Sequence, residues 1–86
     1  MQLSTHLPFT TTDALHFFMH ADNRWVHVEV LQAALEDVFH ASTDRHRWID
    51  AYHANRALME GTALAHLSAG RIPPLQLDAR SFPRMA

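Results

Sequence analysis

The chain has 86 residues, of which 48% are apolar, and it contains no cysteine. This length fits one domain with one modest core, and the lack of cysteine excludes disulfide bonds and thiolate metal ligands. All seven basic residues are arginine and the formal charge is −2, so the chain lacks the basic excess of a phosphate-binding domain and nucleic-acid binding is not expected.

Residues 1–13 mix Thr, Ser and His with Pro8 and show no sustained periodicity, so we predict a loosely attached N-terminal arm or an edge segment. Phe9 is its one candidate anchor. The arm has neither the basic nor the apolar segment of a signal peptide, and no apolar run in the chain approaches the roughly 20 residues of a membrane span. We therefore expect a cytoplasmic protein that does not interact with membranes.

Two stretches of alternating apolar and polar residues, 15–20 and 25–30, predict two β-strands. Asp22 and Asn23 lie between them and tolerate the positive φ of a tight turn, so we predict an antiparallel hairpin. The register that brings both apolar faces to one side pairs Met19 with Val26, Phe17 with Val28, and Leu15 with Val30.

Helical spacing replaces the alternation from Leu31 to Phe39, which predicts a short helix packed on the apolar face of the hairpin. A long helix is predicted from Asp44 to Leu67. Its apolar stripe consists of Trp48, Ile49, Tyr52, Met59, Ala63 and Leu67. Its opposite face, which we expect to be solvated, carries His46, Asp50, His53 and Glu60.

This long helix would measure about 36 Å, whereas a compact domain of this size is only about 30 Å across. We therefore expect it either to bend near Gly61 or to protrude and meet a partner. A second flank of the helix is small and apolar, which favours close contact with another copy of the chain, and it consists of Ala51, Ala54, Leu58 and Ala65.

The C-terminal part continues with Gly70, which suits a left-handed helix end, and with Pro73 and Pro74, which prevent helix continuation. The segment 75–77 alternates again and predicts a short strand, and Phe82 is a candidate packing anchor. Together the elements predict a single α+β domain over 1–86, in which an antiparallel hairpin and a short C-terminal strand pack against one short and one long helix.

Four motifs occur in a recognisable order: ALHFF at 14–18, VEVLQAALEDVF at 28–39, AYHANRALMEGTA at 51–63 and LQLDARSF at 75–82. Over residues 14–82 this order resembles the bacterial domain-of-unknown-function family 1488. The resemblance implies a small α+β fold in a bacterial protein. The family has no established activity, so the resemblance implies no catalytic residue. The chain departs from the family at Leu31, where a helix-capping Ser is usual, and at Pro73 and Pro74.

The polar face of the predicted hairpin carries candidate metal ligands. The register places His16 opposite Glu29, with His27 diagonal to both His16 and His20. Neutral imidazoles and a carboxylate can hold zinc or nickel. Cross-strand spacing is much less diagnostic than His-x-x-x-His on a helix, however, and solvated surface histidines explain the pattern more simply. The sequence therefore assigns no metal and no other cofactor.

Arg56 lies at the edge of the apolar stripe, where an unpaired buried charge would cost several kcal/mol. We expect it to clamp two elements together through a carboxylate, with an exposed guanidinium or an anion-binding role as alternatives. The candidate partners are Glu36, Asp37, Asp78 and, on the same helix, Glu60. Arg56 is thus a structural or interaction candidate, as are Trp48, Tyr52, Leu58 and Met59.

No pattern indicates catalysis, because the chain has no Gly-x-Ser-x-Gly elbow, no phosphate-binding Gly-rich loop and only two glycines. The sequence therefore favours a non-enzymatic protein-interaction or regulatory module that acts as a homodimer and has an unidentified protein partner. The alternatives are a histidine-rich metal-binding protein, a nucleic-acid-associated regulator and a small enzyme.

Overall fold

The structure is a computed structural model that describes residues 7–41 and 45–82, with the side chains of all of these except 45 and 46. The described part forms an α+β fold, as predicted. Its strands are β1 (Phe9–Thr10), β2 (Ala14–Ala21), β3 (Arg24–Leu31) and β4 (Leu75–Leu77). Its helices are α1 (Gln32–Asp37), α2 (Arg45–Ala54), α3 (Arg56–Ser68) and a short 3₁₀ helix at Ala79–Ser81.

The four strands form one sheet in the order β1-β2-β3-β4. The hairpin of β2 and β3 has the predicted register, with Leu15 opposite Val30, Phe17 opposite Val28 and Met19 opposite Val26. Asp22 and Asn23 form its turn with φ values of 53° and 62°. The sheet extends beyond the hairpin on one side, because Phe9–Thr10 pair antiparallel with β2 and form an edge strand, which was one of the two alternatives for the N-terminal segment. On the other side β4 runs parallel to β3.

One face of the sheet, the core face, is closed off by the helices. Side chains that alternate along the strands point into this core, and α1 and α3 add their own buried residues. The fully buried large side chains are Leu15, Phe17, Val26, Val28, Val30, Leu35, Trp48, Met59 and Leu77. The predicted apolar stripe is confirmed, since Trp48, Tyr52, Met59 and Ala63 are all buried, and Asp50 and His53 on the opposite side are exposed.

The prediction of one continuous long helix is wrong, because α2 ends at Ala54 and α3 begins at Arg56. Asn55 separates them with φ −124° and ψ 23°. Its side-chain amide donates to the carbonyl of Ala51 at 2.9 Å, and the Asn55 backbone N–H reaches the same carbonyl at 3.0 Å. An Asn that bonds its own preceding turn competes with helical geometry. The bend is therefore at Asn55 and not at Gly61, and the protruding helix of about 36 Å does not exist.

The ends of the elements follow local chemistry. α3 ends at Ser68 and Gly70 follows with φ 93°, as predicted for a left-handed helix end. α1 is shorter than predicted, and Leu31 stands at its N-terminus without any side-chain capping bond. The predicted start of the long helix at Asp44 lies outside the described residues.

Asp78 caps the 3₁₀ helix that follows β4. The Asp78 carboxylate accepts hydrogen bonds from Ser81 and from the backbone N–H of Arg80, and the Ser81 hydroxyl accepts from the Asp78 N–H. Of these contacts, the hydrogen bond from Ser81 does most to lower the pKa of Asp78 below its ordinary value. This cap places Phe82 in the core, where its ring meets Phe39 edge-on at 4.9 Å.

Candidate functional site

The second face of the sheet carries aromatic and histidine rings and remains partly open to solvent. We call it the ring face and define it by Phe9, His16, Phe18, His20, Trp25, His27 and Glu29. The rings of Phe9, His16, Phe18 and His27 contact one another, and His20 contacts Trp25, with centroids between 4.6 and 6.3 Å apart. Phe9 lies flat on His16 with an interplanar angle of 2°, and Phe18 stacks on His27. These contacts restrict the orientation of both imidazoles.

His16, His27 and Glu29 form a cluster at the centre of the ring face. One ligand atom from each lies within 4.8 Å of the others, and His16 Nδ1 is 2.9 Å from His27 Nε2. The hairpin register produces this cluster. Glu29 lies directly opposite His16, and His27 lies opposite Phe18, two residues further along β2, so that it is diagonal to His16. Gln76 of β4 donates a hydrogen bond to Glu29 Oε1 at 3.3 Å and so ties the carboxylate to the neighbouring strand.

Thr11, just beyond β1, orients the His16 ring. Its hydroxyl oxygen lies 3.0 Å from His16 Nε2, and its hydrogen can be donated to Asp13 Oδ1 or to the Ala14 carbonyl, each at 3.4 Å. Because both of those oxygens only accept, the Thr11 oxygen is available to accept from Nε2–H of His16. This tautomer leaves the lone pair of Nδ1 directed at His27.

Burial sets the protonation of His16. The side chain is only 9% exposed, and this desolvation lowers its pKa below the ordinary value of 6.5. The charge of Glu29 opposes the shift, the proximity of His27 adds to it, and Asp13 opposes it again. The net direction keeps His16 neutral at neutral pH, which is the form that binds metals.

Of the four candidate metal ligands, the structure brings three together and separates the fourth. His20 is exposed and meets the edge of Trp25 at 5.2 Å, and it is absent from the cluster of ligand atoms. The strand spacing explains this, because His20 lies four residues along β2 from His16.

A groove of about 500 Å³ lies between the hairpin and α3. Trp25 and Leu64 border it and are unusually exposed for large apolar residues, at 51% and 49%. Gly61 forms part of its wall, and a Cβ placed on Gly61 would meet nothing within 4 Å. The remaining lining consists of Phe18, Met19, His20, Ala21, Arg56, Ala57 and Glu60.

Arg56 pairs within its own helix and does not clamp two elements together, contrary to our expectation. Its Nε donates to Glu60 Oε2 at 2.8 Å, and 63% of the Arg56 side chain is exposed. The hydrogen bond to Glu60 is also the main reason why the pKa of Arg56 is raised. Burial raises the pKa of the Tyr52 hydroxyl, the charge of Arg56 opposes this shift, and the charge of Glu60 adds to it. The Arg56–Glu60 pair therefore lies close to the hydroxyl of a buried ring.

The other interaction candidates have structural positions. Trp48, Tyr52 and Met59 are buried in the core, and Leu58 is partly buried against it. The second flank of the predicted long helix is divided by the break at Asn55. Ala51 and Ala54 lie in α2, and Leu58 and Ala65 lie in α3. None of these residues borders the groove.

Sequence reasoning missed several residues that shape these sites. Thr11 has no signal in the sequence, and although Phe9 is the predicted anchor of the N-terminal segment, only the pairing of β1 reveals that both residues contact His16. Gln76 was also missed, although a polar residue between two buried leucines must face the side of the sheet opposite to the core. Trp25 was placed on the non-core face correctly, but its position beside Gly61 and Leu64 depends on tertiary packing.

No protein-family model, curated protein or solved structure matches the chain at a significant level. The resemblance to family 1488 therefore stays a prediction. Among the helices in the part of the chain that the structure describes, none is both long enough and apolar enough to cross a membrane.

Proposed function

We propose that this chain is a non-enzymatic protein-interaction or regulatory module that acts as a cytoplasmic homodimer, with the groove between the hairpin and α3 as the interface. The observation that carries the proposal is the exposure of Trp25 and Leu64 on one groove whose wall contains Gly61. Exposed large apolar side chains that lie together usually mark a contact with another molecule. Trp, Phe, Met and Arg are also the residues enriched in protein interfaces.

A second copy of the chain is the partner that best fits the charges of this groove. Arg56 and Glu60 lie one helical turn apart and have opposite charges. Two copies of α3 related by a two-fold axis perpendicular to the helix run antiparallel, so Arg56 of one protomer can face Glu60 of the other, and the reverse pairing follows by symmetry. The patch is therefore complementary to itself.

The shape of α3 supports the same arrangement. Ala57, Gly61 and Leu64 recur at the helical spacing that produces one face, and the first two are small. Small side chains shorten the distance between two packed helices. In an antiparallel pair Gly61 of one copy lies near Ala57 of the other, while Trp25 and Leu64 cover the sides of the contact.

This interface differs from the one that the sequence suggested. The break at Asn55 removes the argument from a protruding helix, and the flank of Ala51, Ala54, Leu58 and Ala65 is divided between α2 and α3. The proposal of a homodimer now depends on the groove alone. The resemblance to family 1488 would make this a bacterial protein, and because that family has no established activity it transfers no catalytic residue to the chain.

The substitution Gly61→Gln tests the interface. Open space at Gly61 lets the monomer accept a side chain, and replacing a helical Gly favours the helix by about 0.5–1 kcal/mol. The same side chain would separate the two copies of α3. We expect sedimentation from micromolar to millimolar concentration to show a dimer for the unmodified chain and at least about tenfold weaker association for Gly61→Gln.

Ala33→Gln is the matched control, because Ala33 is exposed on α1 and does not border the groove. It should associate like the unmodified chain. A strict monomer over the whole concentration range would reject the homodimer. Unchanged association of Gly61→Gln would reject this interface.

A further inference from the structure

We propose that His16, His27 and Glu29 bind one divalent transition-metal ion, of the zinc or nickel class, on the ring face of the sheet. This site is independent of the groove and of the homodimer. Its basis is the convergence of two imidazole nitrogens and one carboxylate within 4.8 Å.

The spacing of the two imidazoles fits an ion with a small adjustment. His16 Nδ1 and His27 Nε2 are 2.9 Å apart. Zinc binds imidazole nitrogen at about 2.0–2.1 Å, so two nitrogens on a tetrahedral ion lie about 3.4 Å apart. Rotation of the side chains can provide the additional half ångström or so, and the backbone of the hairpin stays in its register.

The hydrogen that the two rings share is the atom that an ion would replace. In the tautomer favoured by Thr11, His27 Nε2–H donates to the lone pair of His16 Nδ1. When an ion occupies this position, both nitrogens direct lone pairs at it and His27 carries its single proton on Nδ1. The hydrogen of His27 thus moves from Nε2 to Nδ1 of the same ring, so both imidazoles stay neutral and the pair loses no proton.

Surrounding contacts hold the ligands in place, as is usual around protein metal sites. Thr11 accepts from the remote nitrogen of His16, and Gln76 donates to the carboxylate of Glu29. Phe9 and Phe18 cover the faces of the two imidazoles. A hydrogen bond to the remote nitrogen both fixes the tautomer and raises the ligand strength of the ring.

The ligand set selects the class of ion. Imidazole nitrogen suits zinc, nickel and copper, whereas calcium and magnesium require sites built from oxygen. Three protein ligands leave at least one coordination position for water, because a zinc ion takes four ligands or more.

The first experiment is a calorimetric titration of the chelator-treated full chain with ZnCl₂ at neutral pH. We expect one Zn²⁺ per chain. His27→Gln and Glu29→Gln should each weaken binding by at least about tenfold, and Thr11→Val should weaken it by roughly tenfold or more through the lost support of His16. NiCl₂ should give the same ranking of variants, and MgCl₂ should not bind at this site.

His20→Gln is the matched control, because His20 lies on the same face but outside the cluster. It should bind Zn²⁺ like the unmodified chain. Equal losses for His20→Gln and His27→Gln would show adventitious binding by surface histidines and would overturn the proposal. The absence of any binding heat or of one-to-one stoichiometry would do the same, and would leave His16 and His27 as a hydrogen-bonded pair.

A measurement on the unmodified chain covers the case in which a variant does not fold. Nitrogen-15 spectra of the imidazoles should show that Zn²⁺ shifts His16 Nδ1 and His27 Nε2 while the nitrogens of His20 keep their shifts. A shift spread over all histidines, or one confined to exposed rings such as His20 and His53, would overturn the proposal.

Discussion

The two faces of the sheet are built from the same strands but differ in composition, packing and role. On the core face, side chains such as Phe17 and Val28 are fully buried and purely apolar. On the ring face, the alternate positions are held by His16, Phe18 and His27, which combine polar and aromatic character. A period of two therefore gives one hairpin two independent surfaces. The first stabilises the fold, and the second is available for chemistry.

The largest expected effect concerns the core. Met59→Asp would place a carboxylate at a fully buried position with no cationic partner, which costs several kcal/mol out of a total stability of about 5–15 kcal/mol. We expect loss of the folded state by circular dichroism at room temperature. His53→Ala changes an exposed position, so its melting temperature should lie within a few degrees of that of the unmodified chain. Equal melting temperatures for the two variants would refute the assigned helix phase.

Phe17 and Phe18 allow a direct comparison of the two faces. They are adjacent in β2 and chemically identical, but Phe17 lies on the core face and Phe18 on the ring face. Phe17→Ala should cost about 3–5 kcal/mol, since it leaves a cavity in the core. Phe18→Ala should cost about 1 kcal/mol, because Phe18 is only partly buried and its ring contacts those of Phe9 and His27 on the ring face. Urea unfolding of both variants gives the measurement. Similar losses would mean that the ring face is a second core.

A substitution at Asp78 tests the cap of the 3₁₀ helix that follows β4. Asp78→Ala should cost about 0.5–1 kcal/mol at neutral pH through loss of the cap. Because the hydrogen bond from Ser81 lowers the folded-state pKa of Asp78, its stabilisation is present above the unfolded value of 3.8 and is lost as the pH falls through the folded-state value. The difference between the two chains in urea unfolding should therefore shrink in acid. If the difference in free energy of unfolding between the two chains is the same at every pH, the lost stability comes from the backbone and not from the carboxylate.

The smallest effect is expected at the rim of the groove. Arg56→Gln removes an exposed ion pair within one helix, and such pairs contribute about 0.3–0.5 kcal/mol. At concentrations where the chain is monomeric, the melting temperature should change by no more than a few degrees. A large loss in the monomer would indicate that Arg56 holds two elements together after all, as the sequence suggested.

The core face could be predicted from sequence because its information is local. Alternation fixes which side chains of β2 and β3 are apolar neighbours, and Asp22 and Asn23 fix the turn, so only one register keeps the faces separate. The helix break could not be predicted in the same way. The apolar stripe from Trp48 to Leu67 is interrupted at Asn55 by a polar residue, and what turns that residue into a break is its hydrogen bond to the carbonyl of Ala51.

The ring face was predictable in part. The register places Glu29 opposite His16 and puts His20 four residues away from His16, but it leaves His27 diagonal to both histidines, and the structure shows that His27 joins His16. The supporting contacts come from outside the hairpin, from Thr11 in the arm and from Gln76 in β4. Two-residue pairing such as that of β1 leaves no periodicity in a sequence, and the position of β4 beside β3 depends on where three helices return the chain.

The parallel pairing of β3 with β4 joins residues that are far apart along the chain, whereas the hairpin joins residues that are close together. Leu75 meets Val28 only after the helices have closed a long loop, whereas His16, His27 and Glu29 are brought together by a turn of two residues. Closing a long loop costs more chain entropy than closing a hairpin, and distant pairings form more slowly. We therefore expect the imidazole cluster to form early in folding, whereas the described contact from Gln76 to Glu29 must wait for the C-terminal strand to arrive.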